Sequence, residues 1–189
     1  MVSKLSKYVI GLLHKKPMNP YEIARLSDKD VIQSWFPMVP ASIYTTIKNL
    51  EKKGYIRGES IQEGNYPTKT QYSLTEDGLS ELLNGLSDGL SSYEFEASNF
   101  GIAIFHICSL PKETALQSTR ERLDKLKGLL AQANNTFDLY ADRIPFNMKI
   151  MLIYKKNRLE MEIRTTEELL FEIEKDTKWD YSFTKYSEQ

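Results

Sequence analysis

The residues whose types and spacing could do chemistry lie between positions 40 and 53. The stretch Pro40-Ala-Ser-Ile-Tyr-Thr-Thr-Ile-Lys-Asn-Leu-Glu-Lys-Lys53 opens with a proline suited to a first helical position. It runs into Gly54, where a helix-ending glycine belongs. Wound as a helix, it turns Ile43, Ile47 and Leu50 to one side and Ala41, Ser42, Thr45, Lys48, Asn49 and Lys52 to the other. The outer side carries short hydroxyl residues early, an amide later and lysines late. Hydroxyls and amides pair with base edges, short residues let the backbone approach a groove, and ammonium groups hold phosphates. This is the chemistry of nucleic-acid recognition, and Ser42, Tyr44, Thr45, Lys48, Asn49 and Lys52 are the candidate contacts. A plain amphipathic surface helix would show the same inward stripe, so the neighbouring elements must decide between the two.

Other chemistry is scarce. His106-Ile-Cys108 is the one His/Cys pair close in sequence, but positions i and i+2 of a helix point apart, and His14 is remote. A packed histidine and cysteine are expected there. No Ser-His-acid set, glycine-rich phosphate loop or metal-ligand spacing stands out, so no catalytic residue, cofactor or metal is expected, and the chain reads as a non-enzyme. Cys108 is the only cysteine, which excludes an intrachain disulfide. There is no apolar run of about 18 residues and no signal-peptide pattern after Lys4 and Lys7, so a cytoplasmic protein without a membrane span is expected. Of 189 residues, 41% are hydrophobic and 27% charged, enough for a packed core. The net charge of −1 argues against indiscriminate polyanion binding. Residues 1–85 hold 11 Lys and Arg against 9 Asp and Glu, and residues 86–189 hold 14 against 17. This slight asymmetry is compatible with a nucleic-acid contact in the first half.

The elements around residues 40–53 are legible. Leu5, Tyr8, Val9, Leu12 and Leu13 form one helical stripe. After Pro17-Met18, Asn19 is a good N-cap and Pro20 a good first residue for a second helix, expected to turn Tyr21, Ala24 and Leu26 inward. Residues 28–38 read as a connector around Trp35, Phe36 and Pro37. Beyond Gly54, Tyr55-Ile56-Arg57 with Ile61, and Thr70, Tyr72 and Leu74, read as two strands around a turn-rich tip at Glu63–Thr68. Thr75 caps a following helix with Glu76 and Asp77 in its first turn. Three short helices, a hairpin and a helix in about 85 residues is the winged helix-turn-helix layout. The hairpin adds Arg57, Asn65, Tyr66 and Lys69, with Gln71, as candidate contacts to the backbone or minor groove.

The second half differs. Residues 84–99 are rich in Ser, Gly, Asn and Asp and read as a hinge. Phe100–Leu110 reads as a short buried helix, and Pro111 opens a long one. Leu116, Leu123, Leu130 and Phe137 recur every seven residues in it, joined by Leu126, Ala133 and Tyr140. After Pro145, Leu152, Leu159, Thr166 and Ile173 repeat the spacing, flanked by Ile163 and Leu170. Two long helices joined by a short turn pack as an antiparallel hairpin. The seam residues are either core of that hairpin or part of an interface between two copies, and the interface is the favoured reading. The fold class is therefore mainly α with a small β-hairpin wing. A winged-helix DNA-binding domain is expected over 1–85 and a helical dimerisation domain over 86–189.

The first 85 residues resemble the PadR family of bacterial transcriptional regulators. The resemblance is carried by Val9-Ile-Gly-Leu-Leu13, Pro17-Met-Asn-Pro-Tyr-Glu-Ile23, Trp35, Ser42-Ile-Tyr44, Leu50-Glu-Lys-Lys-Gly-Tyr-Ile56 and Tyr72-Ser-Leu-Thr-Glu-Asp-Gly78. It implies a winged helix, a homodimer and an inverted-repeat operator in double-stranded DNA, usually as a repressor. The length and helical arm are similar to the subfamily with a large C-terminal domain. Pro20 stands where a glycine is common, and Leu79 where a basic residue often follows. Because the resemblance includes ligand-responsive members, Trp35, Phe36, Phe95 and Phe100 are candidates to line a pocket for a small aromatic effector, against ordinary core packing. The alternative to a DNA-binding regulator is a winged-helix protein-interaction adaptor, against which Lys48, Asn49 and Lys52 speak.

Overall fold

The structure is a computed structural model, and it describes residues 2–27, 39–62, 68–93 and 98–179. The chain divides into two compact units, Met1–Phe95 and Glu96–Gln189.

In the first unit, helix α1 spans Lys4–Lys15, and the Ser3 hydroxyl accepts the Ser6 N–H at 3.1 Å at its start. Its apolar stripe buries Val9, Ile10 and Leu13, with Leu5, Tyr8 and Leu12 at the margin. Helix α2 (Pro20–Ser27) begins with a reciprocal cap. The Asn19 side chain accepts the Glu22 N–H at 3.0 Å, and the Glu22 carboxylate accepts the Asn19 N–H at 2.8 Å. Ile23 is fully buried, with Ala24 and Leu26 packed beside it. The expectation for Tyr21 is corrected, because it is 67% exposed. Two positions before Ile23, it lies about 200° round the helix, on the solvent side. Helix α3 (Pro40–Lys52) closes the three-helix core through Ile43, Ile47 and Leu50.

Helix α3 ends in a Schellman arrangement. Gly54 adopts φ +75°, its N–H bonds the Glu51 carbonyl at 2.9 Å, and the Tyr55 N–H bonds the Leu50 carbonyl at 3.0 Å. Strands β1 (Ile56–Ile61) and β2 (Lys69–Leu74) pair antiparallel, with Ile56 opposite Leu74 and Ile61 opposite Lys69. Met18 joins the hairpin by exchanging both backbone hydrogen bonds with Tyr72. Helix α4 (Glu76–Ser91) starts at Thr75, whose hydroxyl accepts the Gly78 N–H. The Ser/Gly/Asn stretch expected to be a hinge is thus helical as far as Ser91, and the expected domain boundary after residue 85 falls inside a helix. Packing overrides composition here. Leu82 is buried, and Gly85 lies against Lys7, whose ammonium donates to the Gly85 carbonyl at 3.2 Å.

In the second unit, Ser98 caps the short helix α5 (Asn99–Phe105), and a single 3-10 turn follows at Ile107–Ser109. Neither contains a buried residue, which corrects the expected buried helix; Ile102 and Phe105 are 54% and 60% exposed. Helices α6 (Lys112–Tyr140) and α7 (Phe146–Lys175) form the expected hairpin. Ion pairs cross it at Arg120–Glu174 (2.8 Å), Arg122–Glu162 (2.5 Å) and Lys127–Glu167 (3.0 Å). Arg122 also donates to the Thr166 hydroxyl and stacks 3.6 Å from the Phe100 ring centre, so one guanidinium links α5, α6 and α7. Beyond α7, the Asp176 carboxylate accepts the backbone N–H groups of Lys178 and Trp179, which hold its pKa below the usual aspartate value. The Trp179 indole donates to the Leu110 carbonyl at 2.7 Å and ties the end of the hairpin to the start of α6.

Two helical glycines in α4 should respond oppositely to alanine. A Cβ at Gly78 would lie 2.0 Å from the Tyr55 carbonyl oxygen, whereas one at Gly89 meets nothing within 4 Å. Gly78→Ala should lower unfolding free energy by about 3 kcal/mol, as backbone overpacking does. Gly89→Ala should raise it by about 0.5–1 kcal/mol through helix propensity. Urea denaturation of both variants checks the pair.

Candidate nucleic-acid interface

The outer face of α3 stands on a floor of Ile43, Ile47 and Leu50, each no more than 2% exposed. Thr46 is buried beside them, while Ala41, Ser42, Tyr44, Thr45, Lys48, Asn49 and Lys52 face solvent. All six candidate contacts on this helix therefore share one exposed surface. The Thr45 hydroxyl donates to the Ala41 carbonyl at 3.3 Å, which leaves its oxygen lone pairs free to accept from a base edge. The helix carries one acid, Glu51, and the fold takes it off this face. Its carboxylate reaches over Gly58 of the hairpin, where a Cβ would lie 2.9 Å away. It also accepts the Tyr72 hydroxyl; burial first, and then this carboxylate, push the Tyr72 pKa above the usual tyrosine value.

The wing is a weaker cationic element than its sequence implies. Arg57 is exposed, but its guanidinium pairs with Glu59, two residues along the same strand, at 3.4 Å. Lys69 sits half-buried opposite Ile61 at the end of the hairpin where the two strands are joined. Asn65 and Tyr66 fall outside the described residues, as do Trp35, Phe36 and Phe95 of the expected effector pocket. Phe100, the remaining member of that set, is stacked under Arg122 inside the second unit.

The dimerisation set divides. Leu116, Leu126 and Leu152 are 7–8% exposed within a single chain, so they serve the core of the α6–α7 hairpin, which corrects their assignment to an interface seam. Leu123, Leu130, Phe137, Leu159, Ile163 and Leu170 are half-buried. The apolar side chains left exposed on α7 are others, among them Phe146 (82%), Ile150 (58%), Tyr154 (61%), Met161 (49%) and Phe171 (60%). A sevenfold count begun at Leu152 passes over them, whereas a full helical wheel shows two apolar stripes. Among the described residues no group of three or more His, Cys, Asp or Glu side chains could hold a metal ion. No described helix is long and apolar enough to cross a membrane.

Comparison with known proteins bears on this arrangement. Residues 9–84 match the model of the transcriptional regulator PadR-like family. The chain is 24% identical over 182 residues to the negative transcriptional regulator PadR of Bacillus subtilis, with 92% of this chain and all of that protein aligned. Its fold is similar to that of B. subtilis PadR solved in complex with operator DNA. The TM-score is 0.71 and the identity 22%, over 90% of this chain and 99% of that one. The same protein in complex with p-coumaric acid superposes with a TM-score of 0.67 at 24% identity, over 91% of this chain and all of that one. The winged helix-turn-helix with its helical second unit is the fold of those structures. Over residues 9–84 the chain is thus similar to the PadR-like family of transcriptional regulators, and over most of its length it shares the fold of B. subtilis PadR.

Proposed function

We propose that this protein is a sequence-specific DNA-binding repressor that acts as a homodimer on an inverted-repeat operator and is released by a small aromatic effector. The observation that carries the reading is the outer face of α3. It is a single exposed surface of Ser42, Tyr44, Thr45, Lys48, Asn49 and Lys52, with the helix's one acid turned away to the hairpin. A protein-binding adaptor has no need of an acid-free, lysine-flanked face at this position. The operator complex and the name of the B. subtilis relative support DNA as the partner and repression as the direction. In this reading the first unit, with the wing residues Arg57, Asn65, Tyr66 and Lys69, reads DNA, and the second unit dimerises.

Dimerisation is supported by the apolar residues that the α6–α7 hairpin leaves outside. A dimer must hold two recognition helices about 34–36 Å apart to enter successive major grooves. The effector role rests on the p-coumaric acid complex of the relative. A ligand weakens operator binding only if it binds the DNA-incompetent geometry more tightly, and operator then weakens the ligand equally.

Anisotropy titrations on the promoter region of the protein's own gene test the reading. Thr45→Ala or Asn49→Ala should cost about 1–3 kcal/mol on the operator and far less on unrelated DNA. Lys48→Gln should weaken both duplexes alike and flatten the dependence of log K on log salt by about 0.9 for each protomer bound, about 1.8 for the dimer. Unchanged binding in all three variants would remove α3 as the reading element. Light scattering on the full chain should give twice its 21.9 kDa mass. Ile150→Glu combined with Tyr154→Glu should give monomers that keep their helicity and bind the operator about tenfold or more weakly, since each then engages a half-site. A dimer of full affinity would move the interface elsewhere. Small aromatic acids that quench tryptophan fluorescence should release operator over the same concentration range; quenching without release counts against induction.

A further inference from the structure

A cleft opens where the start of α1 meets the end of α3. It is lined by Ser3, Ser6, Asn49, Leu50, Lys52 and Lys53. Among the described residues no acid lines it: Glu51 is directed to the hairpin, and α1 has no acid in its first turn. The Ser3 and Ser6 hydroxyls lie 3.0 Å apart, and the Ser3 oxygen already accepts the Ser6 N–H. One hydroxyl proton satisfies the pair, and the other is left to donate outward. The cleft therefore brings together Lys52, Lys53, Asn49 and a spare hydroxyl proton, and none of the residues lining it is acidic. That donor set suits the oxygens of a phosphodiester.

The position of the cleft selects the source of the phosphate. Asn49 and Lys52 belong both to the cleft and to the outer face of α3, so one surface is continuous with the other. A helix seated in a major groove has a sugar-phosphate strand running past its end. The wing's Arg57 is shared with Glu59, and the chain as a whole is not cationic, so the backbone grip must come from a local cluster. We propose that this cleft seats a backbone phosphate of the DNA, which makes the start of α1, through Ser3 and Ser6, together with Lys53, a further DNA-contacting element that sets the register of α3. The inference rests on the DNA-reading role proposed above.

Ser3→Asp and Lys53→Gln test it in the full chain. Aspartate caps a helix as well as serine does and suits the N-terminal dipole, so Ser3→Asp keeps α1 while placing a carboxylate in the cleft. Binding to the promoter duplex and to an unrelated duplex is followed between about 50 and 200 mM salt, with thermal melting as the check on folding. Ser3→Asp should bind both duplexes about tenfold or more weakly at the low-salt end with no fall in melting temperature, as expected for a carboxylate set against a phosphate. Lys53→Gln should lower the salt slope by about 0.9 for each protomer bound, about 1.8 for the dimer, and leave the preference for the promoter intact. Wild-type affinity and slope in both variants would overturn the proposal, and so would a loss confined to the promoter duplex, which marks a base contact. A wild-type chain that binds neither duplex would overturn the DNA-reading role, and this inference with it.

Discussion

The first unit depends on the junction at which α3 stops. Gly54 takes a left-handed conformation there that a side chain would strain, and three elements meet within a few residues of it. Thr75 binds the junction from the far side: its hydroxyl donates to the Gly54 carbonyl at 2.7 Å while accepting the Gly78 N–H, and its own N–H donates to the Tyr55 carbonyl. Gly78 presses so closely on that carbonyl that no Cβ fits. One threonine hydroxyl therefore serves at once as the cap of α4 and as the stop for α3. The angle between recognition helix and wing is set by backbone groups, which have little freedom to adjust. A groove-reading helix needs that rigidity, because base contacts tolerate displacements of only a fraction of a hydrogen-bond length.

Electrostatics follow from the same geometry. A protein with a net charge of −1 can hold a polyanion only by separating its charges locally. The hairpin does this by removing Glu51 from the α3 surface, and it can do so because Gly58 leaves room for the carboxylate and Tyr72 offers a hydroxyl to it. What remains around α3 is a field of donors. On the wing, Arg57 is paired with Glu59. Both groups of that pair are exposed, so solvent screens it and its net worth is small.

In the second unit the hairpin spends one apolar stripe on itself and leaves another outside. Arg122 shows how the internal stripe is secured. Its guanidinium satisfies Glu162 and Thr166 and covers Phe100, so an ion that would be costly to bury alone is compensated on every side. The outward stripe of Ile150, Tyr154, Met161 and Phe171 stays exposed among the described residues.

The sequence by itself determined what depends on neighbours along the chain. The caps at Asn19 and Thr75, the stop at Gly54, the inward stripe of α3 and the long helices after Pro111 and Pro145 all rest on residues close along the chain, the longest capping bond being that from the Tyr55 N–H to the Leu50 carbonyl, five residues back. Local sequence therefore contains the full physical cause. Tertiary structure decided everything that turns on what lies across a gap. Composition marked residues 84–99 as a hinge, yet Leu82 and Gly85 pack against α1 and carry the helix on to Ser91. Periodicity in α6 and α7 revealed apolar seams but not their partners, because a leucine at a heptad position packs equally well against its own hairpin or a second copy. Residues near the chain start were silent as well. Nothing in Ser3 and Ser6 announces a phosphate until the end of α3, some fifty residues away, is brought beside them with its two lysines.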